Sequence, residues 1–238
     1  MSLLRLYPGP TEAIDADDRE RLLELYRPTR AEWLRLNLIS TITGGAGGSD
    51  GTSETLSNPV DRRILGVIRE LADVVLIGAQ SLRAEGYQHP RRSRLAVVTM
   101  SGNLTGHRIE APEGAAPIVL CPPAAATRVL ADLPAAEIIE LEPTAATIPA
   151  ADIISALRTR GLNSIVCEGG PSLAAQLLET GLVDEFCLAT SPLVGGVPFP
   201  VTGHTAIAER RASLTQLLRD ETSGLYARWQ FSDLPATP

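Results

Sequence analysis

The chain has 238 residues and a formal net charge of −7. A negative chain is a poor partner for nucleic acid, although a small phosphorylated ligand needs only local positive charge. No apolar run approaches the roughly 18 residues that span a bilayer. The N-terminus, where a short apolar patch is followed by acids, is unlike a secretory signal. We therefore expect a cytoplasmic protein.

All 21 basic residues are arginine. The sequence thus excludes Schiff-base chemistry on a lysine and a lysine-containing P-loop, so a phosphate would be held by arginines, hydroxyls and backbone amides. The cysteines and histidines are scattered and lack metal-ligand spacing: Cys121, Cys167, Cys187, His89, His107 and His204. We expect neither a disulfide framework nor a metal centre.

In chain order, short apolar runs alternate with helical patterns. Strands are predicted at 33–40, 73–78, 95–100, 117–121, 136–141 and 164–168. Helices are predicted at 58–72, 122–131, 150–160 and 171–180. Asn58 is the expected N-cap of the first helix, and Pro59 lies in its first turn.

The end of the chain differs, because its segments predict strands at 184–191, 213–222 and 225–232. Ser223-Gly224 lies between the last two strands and predicts a hairpin turn. The whole order predicts an α/β fold with a mainly parallel sheet and antiparallel strands at one edge. No linker-like segment divides the chain, so we expect a single domain over 1–238.

Two strand-to-helix turns contain glycine. In one, Gly78 ends a strand and Ser81 falls in the first helical turn; in the other, Gly169-Gly170 precede Pro171. Glycine permits a sharp turn and close approach of a ligand to the backbone, and helix N-termini attract anions. Two such turns would suit a dinucleotide pyrophosphate, while the alternative is a pair of tight turns with nothing bound. A GxGxxG fingerprint is absent, which disfavours a standard Rossmann domain.

The pieces "NLISTITGG", "SNPVDRRILGVIRELADVVLIGAQSLRAEG", "LAVVTM" and "VCEGGPSLAAQLLETGLVDEFCLATSPLVGG" occur in that order before the closing hairpin. Over about 33–232 the sequence resembles the pyrimidine reductases of riboflavin biosynthesis, the C-terminal reductase domain of a bifunctional deaminase-reductase. The resemblance implies a dihydrofolate-reductase-like, three-layer α/β/α fold with a mixed, mainly parallel sheet and an antiparallel C-terminal hairpin. Residues 1–32 would form an N-terminal extension packed on it.

The resemblance also implies NADPH as hydride donor and a homodimer, for which the apolar segment 186–201 offers a surface. Carried over by position, the cofactor-binding residues are Gly78, Ser81, Thr99, Gly169, Gly170 and Ser172. Thr99 would lie near the adenosine 2′-phosphate, and an arginine from 89–94 could join it.

On the substrate side, the resemblance points to Asn37, Ser57, Arg62, Glu85 and Arg92, with Glu168 and Thr43 as catalytic positions. Asp61 and Arg69 match the same helix as Arg62, and the alternative for all three is a solvated helix face. Glu168 or water would supply the proton that the substrate nitrogen needs.

The sequence departs from the family pattern in the loop after the first strand. The family usually has Ser-x-Asp-Gly followed by a basic residue; here Thr43 replaces the acid and Gly45 the basic residue. The glycine-rich segment 43–54 could be a disordered loop or a flexible lid. The zinc deaminase signature, HxE with PCxxC, is also absent, so we expect at most the reductase half.

These observations favour an NADPH-dependent reductase that converts a ribosylamino-pyrimidine phosphate to its ribitylamino form. Reduction of a pterin or another heterocycle is an alternative, because a fold does not fix a substrate. A non-catalytic NADPH-binding protein is a third interpretation, motivated by the missing loop acid.

Overall fold

The computed structural model describes residues 1–112 and 114–231. Its strands are β1 (Ser2–Tyr7), β2 (Glu12–Asp15), β3 (Trp33–Thr41), β4 (Val74–Gly78), β5 (Arg94–Val98), β6 (Ile118–Cys121), β7 (Glu137–Glu140), β8 (Ser164–Cys167), β9 (Glu185–Ser191), β10 (Ala212–Asp220) and β11 (Leu225–Phe231). Its helices are α1 (Arg19–Tyr26), α2 (Pro59–Glu70), α3 (Ala79–Ala84), α4 (Ala126–Asp132), α5 (Ala150–Arg158) and α6 (Pro171–Glu179). Residue 232, the last of the predicted 225–232 strand, lies outside the described residues.

The strands form one sheet in the order β2-β1-β10-β11-β9-β3-β8-β4-β5-β6-β7. The pairings from β9 across to β7 are parallel, and those from β2 to β9 are antiparallel. The predicted mixed, mainly parallel sheet with an antiparallel C-terminal hairpin is therefore confirmed. At the hairpin turn, the Asp220 side chain accepts hydrogen bonds from the amides of Thr222 and Gly224, and Ser223 has a φ of 70°.

Helices cover both faces of the sheet, which gives the predicted three layers. Alternate residues of β4 point to opposite faces: Val75 and Ile77 pack with α1, α2, α3 and α4, whereas Val74 and Leu76 pack with α5 and α6. This continuous apolar run is typical of a parallel strand buried on both faces.

Helix α2 forms where the sequence predicts it, because its start is fixed locally. The Asn58 side chain accepts hydrogen bonds from the amides of Val60 and Asp61, each at 2.9 Å, and Pro59 occupies the first helical position. Ile64 and Ile68 lie on the buried face. Asp61 and Arg69, eight residues apart and so two turns along, share a face that borders a cavity.

The N-terminal segment continues the same sheet rather than lying apart from it. Strand β1 pairs with β10 and β2 pairs with β1, while Leu22 and Tyr26 of α1 are buried in the core. Beneath the end of α1, Glu185 is ion-paired with both Arg35 and Arg228. These arginines also donate to the carbonyls of the last turn of α1, so charge as well as apolar contact attaches the helix to the sheet.

Candidate active site

Two adjoining cavities lie at the C-terminal ends of β3, β4, β5 and β8. The first has a volume of about 580 Å³ and the second about 520 Å³. Five residues line both of them: Ala46, Ser81, Glu85, Gly170 and Pro171. Ligands bound in the two cavities would therefore lie side by side, which is the arrangement that a two-substrate reaction needs.

The first cavity contains most of the residues predicted to bind the cofactor. Its lining includes Gly78, Ser81, Thr99, Gly170 and Ser172. The two glycine turns touch, because the amide of Gly78 donates to the carbonyl of Gly169 at 2.8 Å. A Cβ on Gly170 would lie 2.4 Å from the Ser81 Oγ, and Gly169 has a φ of 105°, where glycine is favoured. The peptide between these glycines is cis.

Helix α6 starts at this cavity without a side-chain cap, since its N-cap is Gly170. Uncapped amides and the helix dipole favour an anion there. Thr99 is buried, and its hydroxyl accepts a hydrogen bond from the amide of Gly102. Within the described part of the chain, Arg83 is the only cation that lines this cavity; its guanidinium also donates to the carbonyl of Asn103.

The second cavity contains most of the predicted substrate-binding residues, Asn37, Ser57, Arg62 and Glu85, together with the catalytic candidate Glu168. Gly169, predicted to bind the cofactor, lines this second cavity and not the first. Arg69 makes two parallel hydrogen bonds to Glu168, each at 2.7 Å, and Tyr87 donates to the same carboxylate at 2.6 Å. Burial lowers the pKa of Arg69, but the Glu168 charge and hydrogen bond outweigh it and the pKa is raised. Burial, and then the Glu168 charge, raise the pKa of Tyr87 well above its ordinary value. The three side chains form a hydrogen-bonded polar wall in which the Glu168 side chain is 7% exposed, Tyr87 is buried and Arg69 is half-buried.

Other acids of this cavity have different partners. Glu54 is ion-paired with Arg62, and Glu85 accepts hydrogen bonds from the amide and hydroxyl of Ser53. Asp61 accepts a hydrogen bond from the Ser57 hydroxyl at 2.8 Å. Burial raises the pKa of the Asp61 carboxyl by more than this hydrogen bond and the Arg62 charge lower it.

Two predicted site residues lie outside the linings of both cavities. Thr43 is exposed, and its hydroxyl bonds to the hydroxyl of Thr41 and to the backbone of Gly195. Arg92 is ion-paired with Glu70 and lines a separate groove, of about 580 Å³, beside α1 and α2. The catalytic role of Thr43 remains a prediction from the resemblance.

Arg83 and Tyr87 line the cavities but were not predicted from the sequence. Arg83 lies two residues after Ser81 on the short helix α3, so its closeness to the first glycine turn could have identified it as a candidate cofactor-binding residue. Tyr87 lies in the loop after α3, and nothing local in the sequence connects it with Glu168, 81 residues away.

Within residues 1–112 and 114–231, no cluster of three or more His, Cys, Asp or Glu side chains is arranged to hold a metal ion. Across the same residues, no helix combines the length and apolarity needed to cross a membrane.

The family model of the RibD C-terminal domain matches residues 32–223. The chain belongs to this family. The resemblance drawn from the sequence to the RibD C-terminal domain is thereby confirmed. A comparison with curated protein sequences found no match.

Solved structures share the fold of this RibD C-terminal domain at low identity. A pyrimidine reductase-like protein from Corynebacterium diphtheriae has a TM-score of 0.76 at 23% identity, covering 90% of this chain and 99% of its own. RibD of Acinetobacter baumannii has a TM-score of 0.69 at 19% identity, covering 86% of this chain and 59% of its own. A deaminase/5-amino-6-(5-phosphoribosylamino)uracil reductase from Thermotoga maritima has a TM-score of 0.67 at 17% identity, covering 89% of this chain and 60% of its own.

Proposed function

We propose that this protein is an NADPH-dependent reductase of riboflavin biosynthesis that acts on 5-amino-6-(5-phosphoribosylamino)uracil or a close relative. The observation that carries the proposal is the pair of contiguous cavities. The first has glycine turns and an arginine suited to a dinucleotide, and the second has an Arg–Glu pair and hydroxyls suited to a polar heterocycle with a sugar chain. Membership of the RibD C-terminal domain family supports the same reaction class.

On the cofactor side, Gly78 and Ser81 would hold the pyrophosphate from one turn, and Gly170 and Ser172 from the other. Gly169 would support this arrangement from the second cavity, since its carbonyl accepts from the Gly78 amide. The close fit of Gly170 against Ser81 supports this placement, because a side chain there would displace the hydroxyl. For the 2′-phosphate we propose Arg83 together with Thr99. Arg83 replaces the arginine expected from 89–94, since Arg91 and Arg92 line the other groove.

On the substrate side, Asn37, Ser57, Arg62, Glu85 and Glu168 line the cavity that would hold the pyrimidine and its sugar chain. The Glu168 carboxylate can accept hydrogen bonds from a pyrimidine edge or from sugar hydroxyls. The Arg92 groove shares Arg69 and Gln88 with this cavity, so a substrate phosphate could extend toward Arg92.

When bound, the nicotinamide supplies a hydride to C1′ of the opened ribose imine. The chain's own part is to hold the substrate next to the first cavity, to exclude water and to deliver a proton to the imine nitrogen. We further propose a homodimer, because Leu193 and Val194 of the apolar 186–201 segment are exposed at 45% and 79%. We propose a cytoplasmic location for it.

The test is purified protein with NADPH and either the ribosylamino-pyrimidine or a dihydropterin, with NADPH oxidation followed by absorbance. We expect turnover of the pyrimidine and complementation of a riboflavin auxotroph that lacks only the reductase. Turnover of the pterin alone would favour the heterocycle alternative. NADPH binding without turnover of either compound would favour the non-catalytic alternative.

A further inference from the structure

Among the described residues, four carboxylates line the second cavity, and they are held in different ways. Arg69 and Tyr87 both donate to Glu168, and Arg62 is ion-paired with Glu54. An arginine fork binds the ionised form of a carboxylate, so Glu168 is an anchor rather than a proton source. Glu54 contacts a single guanidinium nitrogen of Arg62, and both of these side chains are exposed. Glu85 and Asp61 form no ion pair with an arginine among the described residues.

Asp61 differs from Glu85 in its burial and its neighbours. Glu85 is exposed and is bonded by two Ser53 groups. Asp61 is half-buried on the cavity face of α2, and Ser57 donates to one of its oxygens. Its second oxygen is therefore available to a ligand in the cavity.

The charged and titratable groups that face Asp61 come from four elements. Arg62 on α2 lowers the pKa of Asp61, whereas Asp220 on β10 and Glu168 after β8 raise it; Tyr226 on β11 is also close enough to interact with its charge. Burial is the largest influence and raises the pKa. A carboxyl in this environment keeps its proton to a higher pH than a surface aspartate does.

We propose that Asp61 is the acid that protonates the substrate nitrogen, an inference that rests on the proposed function. As C1′ of the C=N bond gains the hydride with its two electrons, the π pair passes to nitrogen. The nitrogen then takes the proton from the Asp61 carboxyl and becomes the amine. Asp61 is left as a carboxylate that the Ser57 hydroxyl stabilises, and it regains a proton from water when the product leaves.

Glu168 and Tyr87 are less suited to this step. Glu168 has 7% side-chain exposure and is held by the Arg69 fork, so it binds as an anion. Tyr87 has a strongly raised pKa and already donates its proton to Glu168. We therefore assign substrate binding to Glu168 and proton delivery to Asp61, in the same cavity.

The test compares Asp61→Asn with Asp152→Asn. Both aspartates occupy the third position of a helix, so the control removes the same helix-terminal charge from the exposed Asp152 of α5, which lines neither cavity. We expect Asp61→Asn to lower kcat by roughly 10²–10⁴-fold, with the NADPH dissociation constant unchanged by calorimetry. The control should keep the wild-type values.

The pH profile separates an acid from a structural residue. The acid must be protonated, so kcat of the wild-type protein should fall as pH rises through the Asp61 pKa. The Asp61→Asn variant should not show this fall in kcat. An NMR titration of the Asp61 carboxyl in the wild-type complex should give the same pKa. A raised KM with unchanged kcat, or a loss below about tenfold, would overturn the assignment.

If Asp61→Asn does not fold, Ser57→Ala tests whether Asp61 is the proton donor. This variant keeps the Asp61 carboxyl but removes a hydrogen bond that lowers the pKa of that carboxyl. The fall of kcat with rising pH should therefore move to higher pH. A fall that stays at the same pH would refute the role of Asp61. Absence of turnover in the wild-type protein would instead refute the proposed function, which keeps the two failures distinct.

Discussion

At the scale of single residues, Gly170 sets the shape of the first cavity. Its φ of −68° and ψ of 178° suit any residue, yet a Cβ would lie 2.4 Å from the Ser81 Oγ. We therefore predict that Gly170→Val folds, because the serine side chain can rotate away, but loses NADPH binding. Fluorescence titration measures the binding and a thermal melt checks the fold. Normal titration by the variant would show that the cofactor lies elsewhere.

Arg83 gives a second prediction, about which dinucleotide is preferred. A charge-assisted hydrogen bond contributes about 1.5–3 kcal/mol, so Arg83→Gln should weaken NADPH binding by roughly 10–150-fold and leave NADH binding nearly unchanged. Arg160→Gln is a suitable control, because it removes an arginine from an ion pair with Glu137 at the far edge of the sheet. Equal losses for both dinucleotides would contradict a contact with the 2′-phosphate.

At the scale of elements, Asn58 joins α2 to the C-terminal hairpin. Its carbonyl oxygen accepts from the first turn of α2 and from the Tyr226 hydroxyl, and its amide donates to Asp220 at 2.7 Å. We predict that Asn58→Ala lowers the free energy of unfolding by about 1–2 kcal/mol. Denaturant unfolding measures the loss. A change within about 0.5 kcal/mol would mean that water replaces the cap.

The elements that could be predicted are those with local signals. Strand β4 is an unbroken apolar run, and α2 has its cap, its proline and its apolar spacing in sequence. By contrast, β2 is a four-residue edge strand, and β1 depends on pairing with β10, more than 200 residues away. Helix α1 has three buried residues among charged ones, so its pattern is weak.

The candidate site was predictable to the same extent. Residues that directly follow strands, such as Thr99 after β5 and Glu168 after β8, follow from the parallel sheet, because its C-terminal ends share one edge. The positions of Arg83 and Arg92 do not, since the path of the chain after α3 decides which groove each arginine enters. A resemblance assigns positions along the chain, whereas the direction of a long side chain depends on tertiary packing.

At the scale of the whole molecule, the Arg35–Glu185–Arg228 cluster connects α1 to the centre of the sheet. Glu185 is fully buried, so Glu185→Gln would leave two buried cations without a counter-charge. We predict a loss of about 3–5 kcal/mol in the free energy of unfolding, measured by denaturant titration. A loss below about 1 kcal/mol would show that the arginines find other partners.

The same cluster predicts how stability depends on pH. Burial raises the pKa of Glu185, but the two arginines lower it by more, so the net direction is downward. Glu185 therefore stabilises the fold above its ordinary pKa of about 4.3, and this contribution is lost as pH falls through the lower folded value. The Glu185→Gln variant should lack this part of the acid dependence, which unfolding curves from neutral to acidic pH would reveal.

Five residues belong to the walls of both cavities, Ser81, Glu85 and Gly170 among them. A ligand that orders this common wall from one side changes the free energy of binding on the other side. Such coupling is reciprocal: the factor by which the dinucleotide alters affinity for the heterocycle equals the factor by which the heterocycle alters affinity for the dinucleotide. Through the shared wall, each ligand would thus raise or lower the affinity for the other by the same factor.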